Sequence, residues 1–368
     1  MVNTRGVIGN FQIPGDLLDI KPSGSGHIND TFVANFKQGK DVNPYLLQRI
    51  NKSVFKNPPQ LMDNVVRVTD HIREKLTSQG CKDISRRVLI PISTRRGVPF
   101  FEDRGGDFWR VYIFITGAST YDTLASPEQG YEIAKAFGGF IGMLRDLPGK
   151  TLHRTIPHFI SGPFRLKQFH EVLASDPMDR TRGARAEIDF LQQHEDLFFS
   201  FHRLVETGRI PVRITHNDTK INNVMIDDRT GKGLCVVDLD TVMPGITLYD
   251  FGDLARTTIG SRGEDEVDVH LIKLRMNYFE AILKGFIAAA GDFLLEEEIN
   301  NLVLGVKVVA LIIGVRFLTD YLDGDKYFKI SRPLHNLYRC RTQLKLVQLV
   351  LDHEEEMLKL VRTLNPHI

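Results

Sequence analysis

The chain has 368 residues and carries 47 basic against 46 acidic side chains, a net charge of +1, so it has neither the basic excess of a nucleic-acid groove nor a polybasic membrane anchor. At about 100 to 200 residues per domain, this length predicts two lobes, each large enough to bury its own core. Cys81, Cys235 and Cys340 are scattered without metal-ligand spacing, and the first residues lack the basic start and apolar run of a signal peptide, which predicts a cytoplasmic protein with free thiols.

Along the chain, short apolar runs alternate with Gly, Pro and charged turns up to Phe114, broken by a helical stretch over 59–76, and the pattern becomes mostly helical after Ser119. Gly24, Ser25 and Gly26 form a small turn between two predicted strands. Such a tip lies close over anions because it has little side chain to clash and free N–H groups to offer, although by itself it is an ordinary hairpin turn. His27 and Asn29 follow it. Tyr45–Ile50 reads as a strand, residues 88–92 and 98–101 as a hairpin around Arg95-Arg96-Gly97, and Phe108–Ile115 as a strand leading into Thr116-Gly117-Ala118. A helix over 126–147 buries Ile133, Phe137, Phe140, Ile141 and Leu144, and its glycines at 138, 139 and 142 predict close packing. The most apolar window, 302–315, contains Lys307 and is shorter than the roughly 20 residues that span a bilayer. It predicts a buried helix and no membrane partner.

The most informative stretch is ITHNDTKINNVMIDDRTGKGLCVVDLDTVMPGITLYDFGD, residues 214–253. Phosphoryl transfer needs a carboxylate to orient an acceptor hydroxyl and take its proton, and oxygen ligands to hold Mg²⁺ against phosphates. Asp218 and Asn223 supply one of each from a short loop. The apolar run 224–226, turn residues Asp227, Asp228 and Gly231, and the return strand 234–237 then bring Asp238 back beside Asn223.

HNDTKINN followed by VVDLD resembles the aminoglycoside phosphotransferase family, the small-molecule branch of the protein-kinase-like fold. The resemblance implies an α+β fold of two lobes, an antiparallel-sheet lobe over residues 1–117 and a mainly helical lobe over 118–368. It implies that Asp218 is the catalytic base, Asn223 and Asp238 the Mg²⁺ ligands, and His216 and Asp250 loop-bracing residues. Asp240 stands where the protein-kinase motif has Gly, as a carboxylate behind the metal ligands or an additional metal contact. ATP would sit with its phosphates under Gly24, Ser25 and Gly26 and its adenine against the backbone at Thr116. Gln48 and Arg49 replace the family's lysine, and Arg49 takes its phosphate role, with Asp63 or Glu74 as helix partner. LLQRIN, TIPHF and RFLTDYL resemble the N-acetylhexosamine 1-kinase branch, which implies an acetamido-sugar partner contacted by Arg316, Tyr327 and His27, in a monomer or homodimer. Another alcohol kinase of the family, or a non-catalytic nucleotide-binding regulator, remains open.

Overall fold

The computed structural model describes residues 3–23, 28–147, 152–365 and 367. The strands β1 (Asp16–Pro22), β2 (Asp30–Gln38), β3 (Asp41–Ile50), β4 (Phe101–Glu102) and β5 (Phe108–Ile113) form one antiparallel sheet in the order β1-β2-β3-β5-β4. Because successive side chains alternate across a strand, the sheet has two distinct faces. Tyr45, Leu47, Trp109 and Val111 pack with Val7, Ile8 and Phe11 in a small core on one side. Leu46, Ile50 and Tyr112 join the main core on the other. By the same alternation Gln48 and Arg110 belong to this second face, and Arg49 to the first.

The helix Pro58–Ser78 starts where sequence predicts, with Pro in its first turn and the Asn57 side chain accepting from the Gln60 amide. Its Leu61, Met62, Val65 and Val68 enter the main core. The hairpin expected over 88–101 does not form. Ile113 instead donates to the Ile90 carbonyl and Ile92 to the Val111 carbonyl, so this segment runs along β5. Those two bonds flank an isolated antiparallel bridge between Pro91 and Tyr112. The turn closes on itself through Thr94 and Val98, with Gly97 at φ 81°.

Beyond β5 the chain passes Thr116 and Gly117 into a mainly helical lobe. Helix Pro127–Leu144 packs on helix Met276–Ala290 with almost no gap at Gly138, where a Cβ would stand 2.8 Å from the Phe286 carbonyl oxygen. Helix Leu302–Leu322 is long and apolar enough to cross a membrane by composition, but 83% of that window is buried inside the molecule, where the helix forms the centre of the lobe. Helix Thr247–Thr258 crosses it at a pair of glycines: a Cβ at Gly252 would lie 2.4 Å from the Gly305 carbonyl oxygen. That contact seats the helix carrying Asp250, Asp253 and Arg256 against the core.

Candidate active site

Two short ladders fold residues 213–245 into facing loops. β7 (Arg213–Thr215) pairs with β10 (Met243–Gly245), and β8 (Val224–Asp227) lies between β9 (Gly233–Val236) and β6 (Ala118–Ser119). The register Val224 to Val236 continues as a 2.9 Å bond from the Val237 amide to the Asn223 carbonyl, which sets Asn223 beside Asp238. Asn223 Nδ2 in turn donates to the Asp218 carbonyl at 2.8 Å and to Asp218 Oδ2 at 3.3 Å. The structure therefore brings Asp218, Asn223 and Asp238 together. Asn217 and Asp238 both have left-handed backbones, φ 64° and 58°, an uncommon conformation that Asn and Asp tolerate and that clusters at functional sites.

Asp250 accepts the amides of His216 and Asn217 at 2.8 and 2.7 Å, and its own carbonyl accepts from the Thr219 hydroxyl. His216 Nε2 lies 2.9 Å from the Val237 carbonyl, with the ring held edge-on by Phe137 and Phe140. Asp250 thus grips the loop before Asp218, and His216 ties that loop to the one before Asp238.

Burial by itself would raise the Asp218 pKa, but Lys220, whose Nζ is 2.9 Å away, together with His216 and Arg256 outweighs it and holds the carboxyl below its ordinary value. Sequence reasoning passed over Lys220, although a cation two positions after a candidate base was visible in the motif. Asp238 is open to the cleft yet walled in by protein. Burial, then the charges of Asp240 and Asp218, push its pKa up to about 7. Its carboxylate makes no hydrogen bond or ion pair among the described residues, and neither does the Asn223 side-chain oxygen. Two oxygen donors free of protein partners on neighbouring loops suit Mg²⁺, which is usually held by one or two protein ligands with phosphates and water completing the shell. Among the described residues no three His, Cys, Asp or Glu side chains form a metal site on their own.

Arg49 is not in the cleft. It lies on the far face of the sheet, bonded to Asp30 and, at 3.1 Å, to Asp107, with its guanidinium 5.9 Å from the Trp109 ring. Neither Asp63 nor Glu74 is its partner. The cation that the sheet turns toward the site is Arg110 of β5. It donates through both terminal nitrogens to Asp240, at 3.0 Å for Nη2, and through Nε to Gln48 Oε1 at 3.0 Å. Asn29 Nδ2 adds a 2.8 Å bond to Asp240. Arg110 is 1% and Asp240 2% exposed. With both oxygens taken, Asp240 stands behind the site rather than in it.

At Thr116 the carbonyl accepts from Arg86 Nε at 3.1 Å, and the Gly117 carbonyl from Arg86 Nη2 at 2.9 Å. The Thr116 amide has no partner among the described residues. Arg316 lies under an aromatic cover, its guanidinium 5.4 Å from Phe159, 5.8 Å from Tyr327 and 5.4 Å from Phe328. The covering loop is anchored by Asp320, which accepts the amides of Tyr327 and Phe328. Arg316 has no carboxylate partner among the described residues but lies near enough to Asp218 to feel its charge, and burial lowers its pKa. Arg165 is a neighbour, its pKa lowered to about 10 by burial and by Arg316. Gly24, Ser25, Gly26 and His27 lie outside the described residues.

A sheet lobe, a helical lobe and this loop pair between them define a kinase-like phosphotransferase of two-lobe α+β fold. The sequence profile of the phosphotransferase enzyme family matches residues 19–276, more than half of the chain, and the protein belongs to that family. Similar solved structures include an aminoglycoside phosphotransferase from Alicyclobacillus acidocaldarius (13% identity, TM-score 0.61, 99% of this chain and 96% of that one). A choline kinase from Cryptosporidium parvum (14%, 0.59, 98% and 99%) and a spectinomycin phosphotransferase in complex with ADP and spectinomycin (12%, 0.58, 92% and 94%) are also similar. At these identities the likeness is one of fold.

Proposed function

We propose that the protein is an ATP- and Mg²⁺-dependent kinase that transfers the γ-phosphoryl group to the anomeric hydroxyl of an N-acetylhexosamine. The convergence of Asp218, Asn223 and Asp238 supports the reaction class. Asp218, kept ionised by Lys220, orients the acceptor hydroxyl and receives its proton. Asn223 and Asp238 would hold Mg²⁺, which when bound neutralises charge on the transferring phosphoryl group. His216 and Asp250 keep the two loops in register.

The single observation that carries the acceptor class is the aromatic surround of Arg316. Phe159, Tyr327 and Phe328 already enclose a cation supplied by the protein itself, so this aromatic cluster is not free to cage the ammonium of choline. Arg165 and Arg316 together repel a polycationic aminoglycoside. A neutral acetamido sugar avoids both conflicts: its carbonyl oxygen accepts from a guanidinium, and its ring and methyl pack on aromatic faces.

The test is a panel of acetamido sugars, plain hexoses, amino alcohols and aminoglycosides incubated with Mg-ATP, scored for ADP release and product mass. Phosphate on an acetamido sugar, lost by about 10²-fold or more in Asp218→Asn, is the expected result. ADP release with choline or an aminoglycoside but with no acetamido sugar would overturn the acceptor assignment.

A further inference from the structure

Arg86 stands outside the loops that hold Asp218 and Asp238, in the short helix Ile84–Arg87, yet it fixes the link between the two lobes. Its Nε donates to the Thr116 carbonyl at 3.1 Å, and its Nη2 to the Gly117 carbonyl at 2.9 Å and to Asp227 Oδ2 at 2.8 Å. The Gly117 carbonyl also accepts the Asp228 amide at 3.0 Å and so has both lone pairs engaged. The Thr116 carbonyl keeps one lone pair, but next to a guanidinium whose charge repels a further N–H donor. Upstream the situation is reversed. Phe114 donates to the Pro44 carbonyl, but Pro44 has no N–H to return, so the Phe114 carbonyl has no strand partner. The Ile115 carbonyl and the amides of Thr116 and Gly117 are also without backbone partners among the described residues.

This distribution of free groups discriminates between purines. Adenine presents one amino donor beside one ring-nitrogen acceptor, which a link amide and an upstream carbonyl satisfy together. Guanine presents a carbonyl oxygen followed by two donors, a ring N–H and an amino group. Once its oxygen takes a link amide, those donors face the carbonyl of the same residue, at Thr116 or Gly117. At Gly117 both lone pairs of that carbonyl are engaged, and at Thr116 the remaining one lies beside the Arg86 guanidinium, whose charge disfavours a second donor. Burying donors without acceptors is strongly unfavourable.

We propose that Arg86 makes the site selective for adenine over guanine nucleotides by occupying the link carbonyls that guanine would need. This rests on the reading of the cleft as a nucleotide site, and identifies Arg86 as a specificity-determining residue that acts through the backbone.

The experiment is equilibrium binding of ADP and of GDP, with Mg²⁺ and without acceptor, to the wild-type chain and to Arg86→Met, which keeps the apolar stem but donates nothing. The wild type is expected to prefer ADP by on the order of 10- to 100-fold. Arg86→Met is expected to shrink that ratio several-fold, chiefly by gaining GDP affinity. Should Arg86→Met fail to fold, Arg86→Lys, which retains the cation but supplies no fork, is expected to narrow the ratio in the same direction. A purely structural role would weaken both nucleotides alike and leave the ratio unchanged, and that result would overturn the proposal. So would equal wild-type affinity for ADP and GDP. A wild type that binds neither nucleotide would overturn the kinase reading itself, whereas ADP binding with an unaltered ratio in both variants would sink only the role of Arg86.

Discussion

Asp250→Ala removes what is, among the described residues, the sole acceptor of two buried amides, those of His216 and Asn217, at 2.8 and 2.7 Å from a residue only 1% exposed. A buried donor left unpaired costs about 1–3 kcal/mol. A water entering the vacated volume can accept from one or both of them and recover part of that cost, so we expect a loss of about 2–3 kcal/mol. Asp250→Asn keeps one oxygen and turns an NH₂ group toward the other amide, for a loss of about 1–2 kcal/mol. Urea unfolding monitored by circular dichroism measures this as a lower midpoint with an unchanged slope. The left-handed backbone of Asn217 loses its support in both variants, and Asp218 is the next residue. A displacement of about 1 Å there costs on the order of 10²-fold in rate, so Asp250→Asn should turn over one to two orders of magnitude more slowly at temperatures where it is fully folded. An alanine variant within about 0.5 kcal/mol of wild type, or an asparagine variant with undiminished turnover, would refute the bracing role.

Three other perturbations follow from the packing and charge. Gly252→Ala places a methyl 2.4 Å from the Gly305 carbonyl oxygen and 2.7 Å from Val309 Cγ2, so it should destabilise by about 1–3 kcal/mol or more, seen as a drop of several degrees in scanning calorimetry. Arg110→Met strands the buried Asp240 carboxylate at a cost of about 3–5 kcal/mol, and adding Asp240→Asn should recover part of it in a double-mutant cycle. Asp227 has its pKa lowered to about 2, first by its bond to Arg86 and then by the Thr230 amide and hydroxyl. Relative to an unfolded value of about 3.9, its contribution is fully present above about pH 4 and is lost as pH falls through 2. Stability measured from pH 5 downward should therefore decline less steeply in Asp227→Asn than in wild type.

Much of the site was legible because its chemistry is local. Asp218 and Asn223 share one loop, and Asp238 returns through a hairpin whose apolar strands and turn residues are evident in the sequence. The two-lobe fold was legible for a related reason, since the change from short strands to long helices marks where the sheet ends. Contacts across the molecule were not. Arg110 and Asp240 are 130 positions apart, and Arg86 and Asp227 are 141 apart. Nothing in the composition of either partner marks the pairing, and Asp227 showed only turn chemistry.

The assignment of Arg49 failed for a more specific reason. In Tyr45-Leu46-Leu47-Gln48-Arg49-Ile50 the strand has apolar residues of both parities, because both faces of the sheet are covered, so alternation gives no signal as to which side Arg49 takes. Trp109 directly opposite, in the outer core, would have decided it, had the register been known. Two departures from the kinase pattern that look unrelated in the sequence, no lysine on the third strand and an Asp where Gly is expected, then become one. A cation arriving from β5 rather than β3 needs an acidic partner within its reach, and the loop beyond Asp238 supplies it at 240 instead of the helix Pro58–Ser78. Together with the Asn29 bond, the pair ties the sheet lobe directly to the loop that carries Asp238.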